Sequence, residues 1–481
     1  MIVEYVTMII IPLLMAITSI ISYLVGYGRS LKIILAMVYG FMLGWSILLT
    51  SLSYLGITLS AFGMEFRIDA LSSIFILTSM IIAISSLIYS YHYMEYYASK
   101  YGLKSKELGL YYSLLTITIL TVYLMAISNN AFILWVMVEA TTLTTAFLVG
   151  YGRYEGALEA SWKYLLLCVV GLTTALYGTS LIYSYIFDIT GNPYFGILFT
   201  DIAKHVKMIE PTTLTLASIM ILMGYGVKAG LAPLHWWLPD AYSEAPSPIS
   251  ALLSSIITGC GAYAILRWLI VLSPVLNWVM RAILMVIGFT SIFLGFVSMI
   301  LQDDLKRILA YSSIGNMGII SLASAYPPIG FAFAIMHLFN HSILKASAFL
   351  LVGDLEYRYG RRSGLRGVIS DAPILGFSLL VGILALEGTP PFSAFYSIFG
   401  PLTAMKNPSV IAIYLIGVLI GFIAITHRFI EIAWGSRMSL PIGGNYPRSM
   451  LIIPIILILV TLILGLYPNP LLKICGGGFT R

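Results

Sequence analysis

Between Thr213 and Ser247 the chain reads TLTLASIMILMGYGVKAGLAPLHWWLPDAYSEAPS, 35 mostly apolar residues with Lys228-Ala-Gly-Leu-Ala-Pro233-Leu-His235 at their centre. A helix crosses the hydrocarbon of a bilayer in about 20 residues, so one continuous helix over this stretch is too long. Pro233 also removes a backbone donor and clashes with the preceding turn. The stretch therefore predicts a discontinuous helix whose freed carbonyls and amides face protein or water rather than lipid. Glu387-Gly-Thr-Pro390-Pro391-Phe392, followed by a short apolar piece to Ala404, predicts a second broken helix. Two interrupted helices in separate halves of a membrane protein point to ion or substrate sites near the midplane. Prolines that merely kink packed helices are the plainer reading.

The rest of the chain supports a membrane setting. Of 481 residues, 59% are hydrophobic and 10% charged, with a mean hydropathy of +0.96; soluble domains carry about 25% charged residues. Runs long enough to span recur at 5–25, 33–55, 70–91, 109–128, 131–150, 160–186, 213–232, 249–271, 279–300, 308–326, 329–353, 372–388, 409–432 and 449–467. This predicts an all-α membrane protein of about fourteen transmembrane helices in a single domain. Placing the N-terminus outside leaves 15 Lys and Arg in inner loops, Arg361 and Arg437 among them, against 7 outside, including Arg481. That split predicts both termini outside a cell membrane. The N-terminus runs straight into a span without a basic segment or small-residue cleavage site, so no removable signal peptide is expected.

Several chemistries have no sequence support. Cys168, Cys260 and Cys475 are far apart, without metal or cluster spacing, so no iron–sulfur centre and no metal site is expected in this chain. No phosphate-binding loop or dinucleotide fingerprint occurs either, and no cofactor is expected. Gln302 is the single glutamine, and scarcity of thermolabile amides points to a thermophilic source.

Charge at membrane depth costs about 2.5–3.5 kcal/mol on the insertion scale, so ionisable residues inside spans mark ion paths or buried pairs. Glu139 lies eight residues into the run that starts at Ala131. Lys228 sits just before the first break, where water and free carbonyls can reach it; a lysine snorkelling to the interface is the alternative. Burial and a neighbouring carboxylate act on a lysine's proton in opposite senses, which can make such a group switchable. His337, His341 and Lys345 recur every four residues, and each step of four adds about 40° around a helix. All three therefore share one stripe, and histidine titrates near neutral pH, which favours a proton relay over metal ligation. Lys163 with Glu159 is a weaker candidate, since both can border the inner interface. His235 and Glu387 flank the two breaks. Asp303, Asp304, Lys306 and Arg307 are expected to form a solvated loop that caps the next helix.

The stretch from Gly226 through Lys228, Pro233, His235-Trp-Trp-Leu-Pro239-Asp240 and Pro246 to Ser250 resembles the signature of antiporter-like subunits of respiratory complex I. The same fold occurs in Mrp-type cation/proton antiporters and in membrane-bound hydrogenase and sulfur reductase complexes. Asp69-Ala-Leu-Ser72, Trp135-Val-Met-Val-Glu139, Asp304-Leu-Lys306-Arg307 through Gly315, and His337 through Lys345-Ala match further motifs in the family's order. The resemblance implies two inverted five-helix repeats, here approximately 109–271 and 279–432, with helices 7 and 12 broken. It also implies a Glu139–Lys228 pair in which Lys228 carries the exchangeable proton, and a polar axis continued by His337, His341 and Lys345. The partners it implies are other membrane subunits and iron–sulfur-bearing peripheral subunits. Two positions depart from the pattern. The eighth helix has Gly259 and Cys260 where a lysine or histidine is usual, and the twelfth has Ile398 where a lysine or glutamate follows the Pro-Phe-Ser stretch.

The reading that results is a proton- or cation-translocating subunit of a redox-driven complex, leaning to the hydrogenase or sulfur reductase branch. An Mrp-type Na+/H+ antiporter subunit and a structural subunit that has lost pumping are the alternatives. A free-standing secondary transporter is a further one, because Gly353-Asp-Leu-Glu-Tyr-Arg358-Tyr-Gly-Arg361-Arg362 resembles the inner-loop motif of major facilitator transporters.

Overall fold

The computed structural model describes residues 2–360, 362–435 and 447–477; the loop cations Arg361, Arg437 and Arg481 lie outside these. Among the described residues, twelve helices are long and apolar enough to cross a membrane. Two further elements complete the predicted fourteen spans: Leu305–Ser324, whose many Ser, Gly and Asn residues lower its hydropathy, and the short Pro373–Leu386 followed by Ala394–Phe399. Both predicted breaks are present. The seventh span is Pro211–Ala229, a loop, and then Leu238–Glu244. In each consecutive run of five spans beginning at Ser105–Ile127 and at Trp278–Ile300, the fourth is the broken one.

Helix starts follow local chemistry. Asp69 caps the third span by accepting from the Ser72 amide at 3.1 Å, and Asn130 caps the fifth through the Phe132 and Ile133 amides at 2.9 and 3.1 Å. Such side chains satisfy the orphan amides of a helix start. A two-stranded hairpin, Leu59–Ala61 with Phe66–Ile68, joins the second and third spans. Bridges Phe66↔Ser128 and Asn130↔Leu198 tie the following loops to it, defining one face of the molecule. The C-terminal helix Asn469–Gly477 reaches this hairpin face too, where Ile474 and Cys475 line a cavity with Arg67.

The spans are not equivalent in burial. The most apolar windows of Ser247–Val275 and Ile329–Tyr359 are 100% buried within the chain, against 33% for Val3–Val25, Pro408–Trp434 and Arg448–Leu466. The eighth and eleventh spans are thus a central axis screened from lipid, where ionisable groups can be held, while the outer spans present apolar side chains such as Leu24, Val170 and Leu466. Close approach at the axis depends on Gly261. A Cβ there would lie 2.4 Å from the Ala229 amide nitrogen and 2.8 Å from the Lys228 carbonyl carbon, both backbone atoms. The eighth span also contains a π turn, Leu253–Ile257, a distortion frequent at functional sites.

Candidate functional site: a buried chain of ionisable and hydroxyl groups

Lys228 is fully buried in the last turn before the first break. Gly230, at φ 72°, closes the helix by donating to the Gly226 and Val227 carbonyls. The Trp237 indole also donates to the Val227 carbonyl at 2.8 Å, and the Ala232 amide donates to Ser291 Oγ at 2.9 Å. The break is therefore paid out in protein hydrogen bonds, as a low-dielectric setting demands. Lys228 Nζ donates to Thr142 Oγ1 and to the Tyr164 hydroxyl, both at 2.7 Å. Tyr164 in turn bonds Thr145 Oγ1 at 2.8 Å and packs on Trp237 with ring centroids 4.6 Å apart.

Glu139 lies three residues before Thr142 on the same helix, a rise of about 4.5 Å. The Lys228 charge acts on it, but no N···O contact within 4.0 Å joins the two. Glu139 Oε2 is buried and has no hydrogen-bond partner. The pair is thus in electrostatic register with a hydroxyl, Thr142, on the lysine side.

In the second half Lys345, also fully buried, donates to the Leu309 carbonyl at 2.8 Å and to Ser312 Oγ at 2.6 Å. Its charge acts on Glu387, the residue that closes Pro373–Leu386 at the second break. Glu387 is buried, and its Oε1 has no hydrogen-bond partner. Ile398 packs beside it: its Cδ1 is 2.8 Å from the position of a Cβ on Gly388. His337 spans two helices, with Nε2 3.1 Å from Asn316 Oδ1 and Nδ1 3.1 Å from Ser397 Oγ. Asn316 Nδ2 reaches the Ser312 carbonyl at 2.8 Å, so His337 and Lys345 meet on one turn of the tenth span. From Ser397 the network runs on to Asn340 Nδ2 at 3.2 Å and Ser393.

His341 stands between these clusters. Its ring centroid is 6.1 Å from that of His337, neither ring nitrogen makes a hydrogen bond, and the Ser254 backbone in the π turn faces it. Ser342 Oγ donates to the Ser255 carbonyl of the same turn at 3.1 Å. The eighth span therefore touches Lys228 through Gly261 and faces His341 through its π turn, and between the two lie Gly259 and Cys260 rather than a charge.

The structure brings Glu139, Lys228, His337, His341, Lys345 and Glu387 into this interior. It leaves two weaker candidates off it. Lys163 lies at a half-exposed edge, 2.5 Å from Glu159 and 3.7 Å from Asp240. His235 is buried inside the first break, stacked on Trp236, with Nδ1 unbonded. Asp304 caps its helix as expected, but Lys306 is not solvated. It is buried, donating to the Ala245 carbonyl at 2.8 Å and lying 3.6 Å from Glu356, because the short helix Leu238–Glu244 folds over it. The sequence reading did not single out Thr142, Tyr164, Asn316, Asn340 or Ser397. Asn316 and Asn340, amides within spanning helices, carried a signal; the hydroxyls did not.

The class this defines is a polytopic membrane protein with two broken spans, each ending at a buried ionisable group opposite a partner of the other sign. Residues 128–424 match the family described as NADH:quinone oxidoreductase/Mrp antiporter, TM, and the chain belongs to that family. It is 33% identical over 401 residues to a hydrogenase-4 component F homolog of Methylacidiphilum infernorum, covering 82% of this chain and 83% of that protein. Its fold is shared with a chain of the archaeal membrane-bound sulfane sulfur reductase, at a TM-score of 0.86, 24% identity and coverage of 100% and 98%. A chain of the Mrp complex from Dietzia sp. DQ12-45-1b gives a TM-score of 0.85 at 20% identity, again covering 100% and 98%.

Proposed function

We propose that this chain is the antiporter-like, proton-translocating subunit of a multisubunit, redox-driven membrane complex of the hydrogenase or sulfur reductase type. The observation that carries this reading is Lys228, buried at a helix break, held by two hydroxyls and in the field of Glu139. A charged amine there has hydrogen-bond partners but no contact ion pair, so its proton can leave without breaking one. Lys228 exchanges the proton and Glu139 biases that exchange; His341, His337 and Lys345 extend the axis, and Glu387 ends it at the second break. The two five-span runs are inverted repeats, which puts the breaks at matching depths. Electrons stay on iron–sulfur-bearing peripheral subunits, a division of labour consistent with the wide spacing of Cys168, Cys260 and Cys475. The 15-to-7 split of loop cations supports both chain ends lying outside the cell membrane.

The test is proton uptake by the purified complex in sealed vesicles with Glu139→Gln or Lys228→Met in this subunit. Loss of uptake with retained subunit stoichiometry is expected; normal uptake in both variants would sink the reading. The likeness to the Mrp chain favours a second reading, a cation/proton exchanger subunit. Co-purification of cluster-bearing partners separates the two.

A further inference from the structure

On the hairpin face a cavity of 560 Å³ opens among the hairpin, the ends of the eighth and tenth spans, the start of the ninth, and the C-terminal helix. Its polar side holds Arg67, Arg267 and Arg281 with Asp69, and its apolar side includes Ile270, Ile335 and Ile474. The single carboxylate is already taken. Arg267 grips Asp69 with NH1 at 2.5 Å and NH2 at 3.0 Å. Burial pushes the Asp69 carboxyl up, but the Arg267 guanidinium more than offsets this and holds it below the ordinary carboxylate range, so the pair stays ionised and closed. Arg267 Nε remains buried without a hydrogen-bond partner. Among the described residues neither Arg67 nor Arg281 has a carboxylate within 4.0 Å. Arg281 stands in the first turn of Trp278–Ile300, which has no acidic residue, and a cation there opposes the helix dipole.

We propose that this cavity binds a phosphate-bearing anion, the headgroup of an anionic phospholipid, between Arg67 and Arg281 with its acyl chain along Ile270, Ile335 and Ile474. Two guanidiniums without a contact carboxylate suit bidentate phosphate contacts, and the apolar wall suits a hydrocarbon tail. A soluble anion would satisfy the arginines but leave that wall unused.

The full chain in a neutral detergent tests this by thermal unfolding with added phosphatidylglycerol, phosphatidylcholine or inorganic phosphate. Phosphatidylglycerol should raise the melting temperature, and Arg67→Gln/Arg281→Gln should weaken its apparent affinity about thirtyfold, the size expected of two basic residues at an anionic interface. Arg29→Gln/Lys106→Gln, exposed cations on the opposite face, should leave the response intact and shows that the loss is local. A full response to inorganic phosphate alone keeps the phosphate site and assigns it to a free anion. Equal responses to phosphatidylglycerol and phosphatidylcholine, or an unchanged affinity in the Arg67/Arg281 variant, would overturn the proposal.

Discussion

At the first break the buried ionisable group is a lysine, at the second a glutamate. Lys228 closes Pro211–Ala229 and works against Glu139 on an unbroken neighbour; Glu387 closes Pro373–Leu386 and works against Lys345 on another. The polarity is reversed, but the construction is not. In both pairs the lysine donates two hydrogen bonds of 2.6–2.8 Å, and one carboxylate oxygen is buried without a partner. Buried polar atoms are nearly always bonded, so these two oxygens, one in each pair, are where the proposed proton path can land. The carbonyl end of a helix suits the Lys228 ammonium. The same end meets a carboxylate at Glu387, whose charge then depends more heavily on its lysine.

The largest effect is expected at the first pair. Lys228→Met removes the charge at the break that acts on Glu139, and proton uptake by the complex should fall about a hundredfold or more, the scale of losing a positioned acid–base group. Lys345→Met should match it if the pairs are equivalent. A variant that retains most uptake would show that the second half is a scaffold, an alternative that Ile398 there and Gly259 on the eighth span keep open.

A next, sharper test concerns where the acid at the second break must sit. Glu387→Leu should lose most uptake, and adding Ile398→Glu should restore part of it, because Ile398 packs against Gly388 beside the vacated carboxylate. Restoration would establish that a carboxylate facing Lys345 matters and its position in the chain does not. No restoration, in a complex of normal composition, would tie the function to Glu387 itself or remove it from the path.

A smaller loss is expected from the connecting groups. Asn316→Leu leaves His337 Nε2 without its partner, and an orphaned buried group costs at least about 1 kcal/mol, which corresponds to a slowing of roughly fivefold or more. Asn316→Asp keeps an acceptor in place and should slow uptake less. Equal uptake in the wild type and Asn316→Leu would break the link between His337 and Lys345.

The spans, both breaks and the charged residues were legible in the sequence because each follows from local pattern: apolar runs, proline, and a charge where none is affordable. The charged stripe of the eleventh span was legible too, though not its division, in which His337 and Lys345 turn to the tenth span and His341 to the eighth. That depends on packing, as does Lys306, whose place beside Asp303 and Asp304 reads as a solvated loop until Leu238–Glu244 is folded over it. The hydroxyls around Lys228 were silent for the same reason. Thr142 and Tyr164 are common residues in membrane helices, and only the 2.7 Å contacts single them out.

A clear loss of stability, with a modest fall in transport, is expected from Gly261→Ala. The methyl would meet backbone of Lys228 and Ala229, which cannot rotate away as a side chain can. Overpacking of this kind costs about 1–3 kcal/mol, so the melting temperature of the chain should drop while its composition in the complex persists. The strain falls on the one turn that aims Lys228 at Thr142 and Tyr164, and no turn of this kind is strained at Glu387, where Gly388 meets only the Ile398 side chain and, at 3.5 Å, the Ala394 carbonyl. Proton uptake in Gly261→Ala should therefore fall together with stability, whereas Ile398→Ala, which leaves a cavity at the second break, should lower stability with little effect on uptake. If uptake is as sensitive at Ile398 as at Gly261, the first break has no special claim on the aim of its charge, and the two halves are alike in mechanics as well as construction.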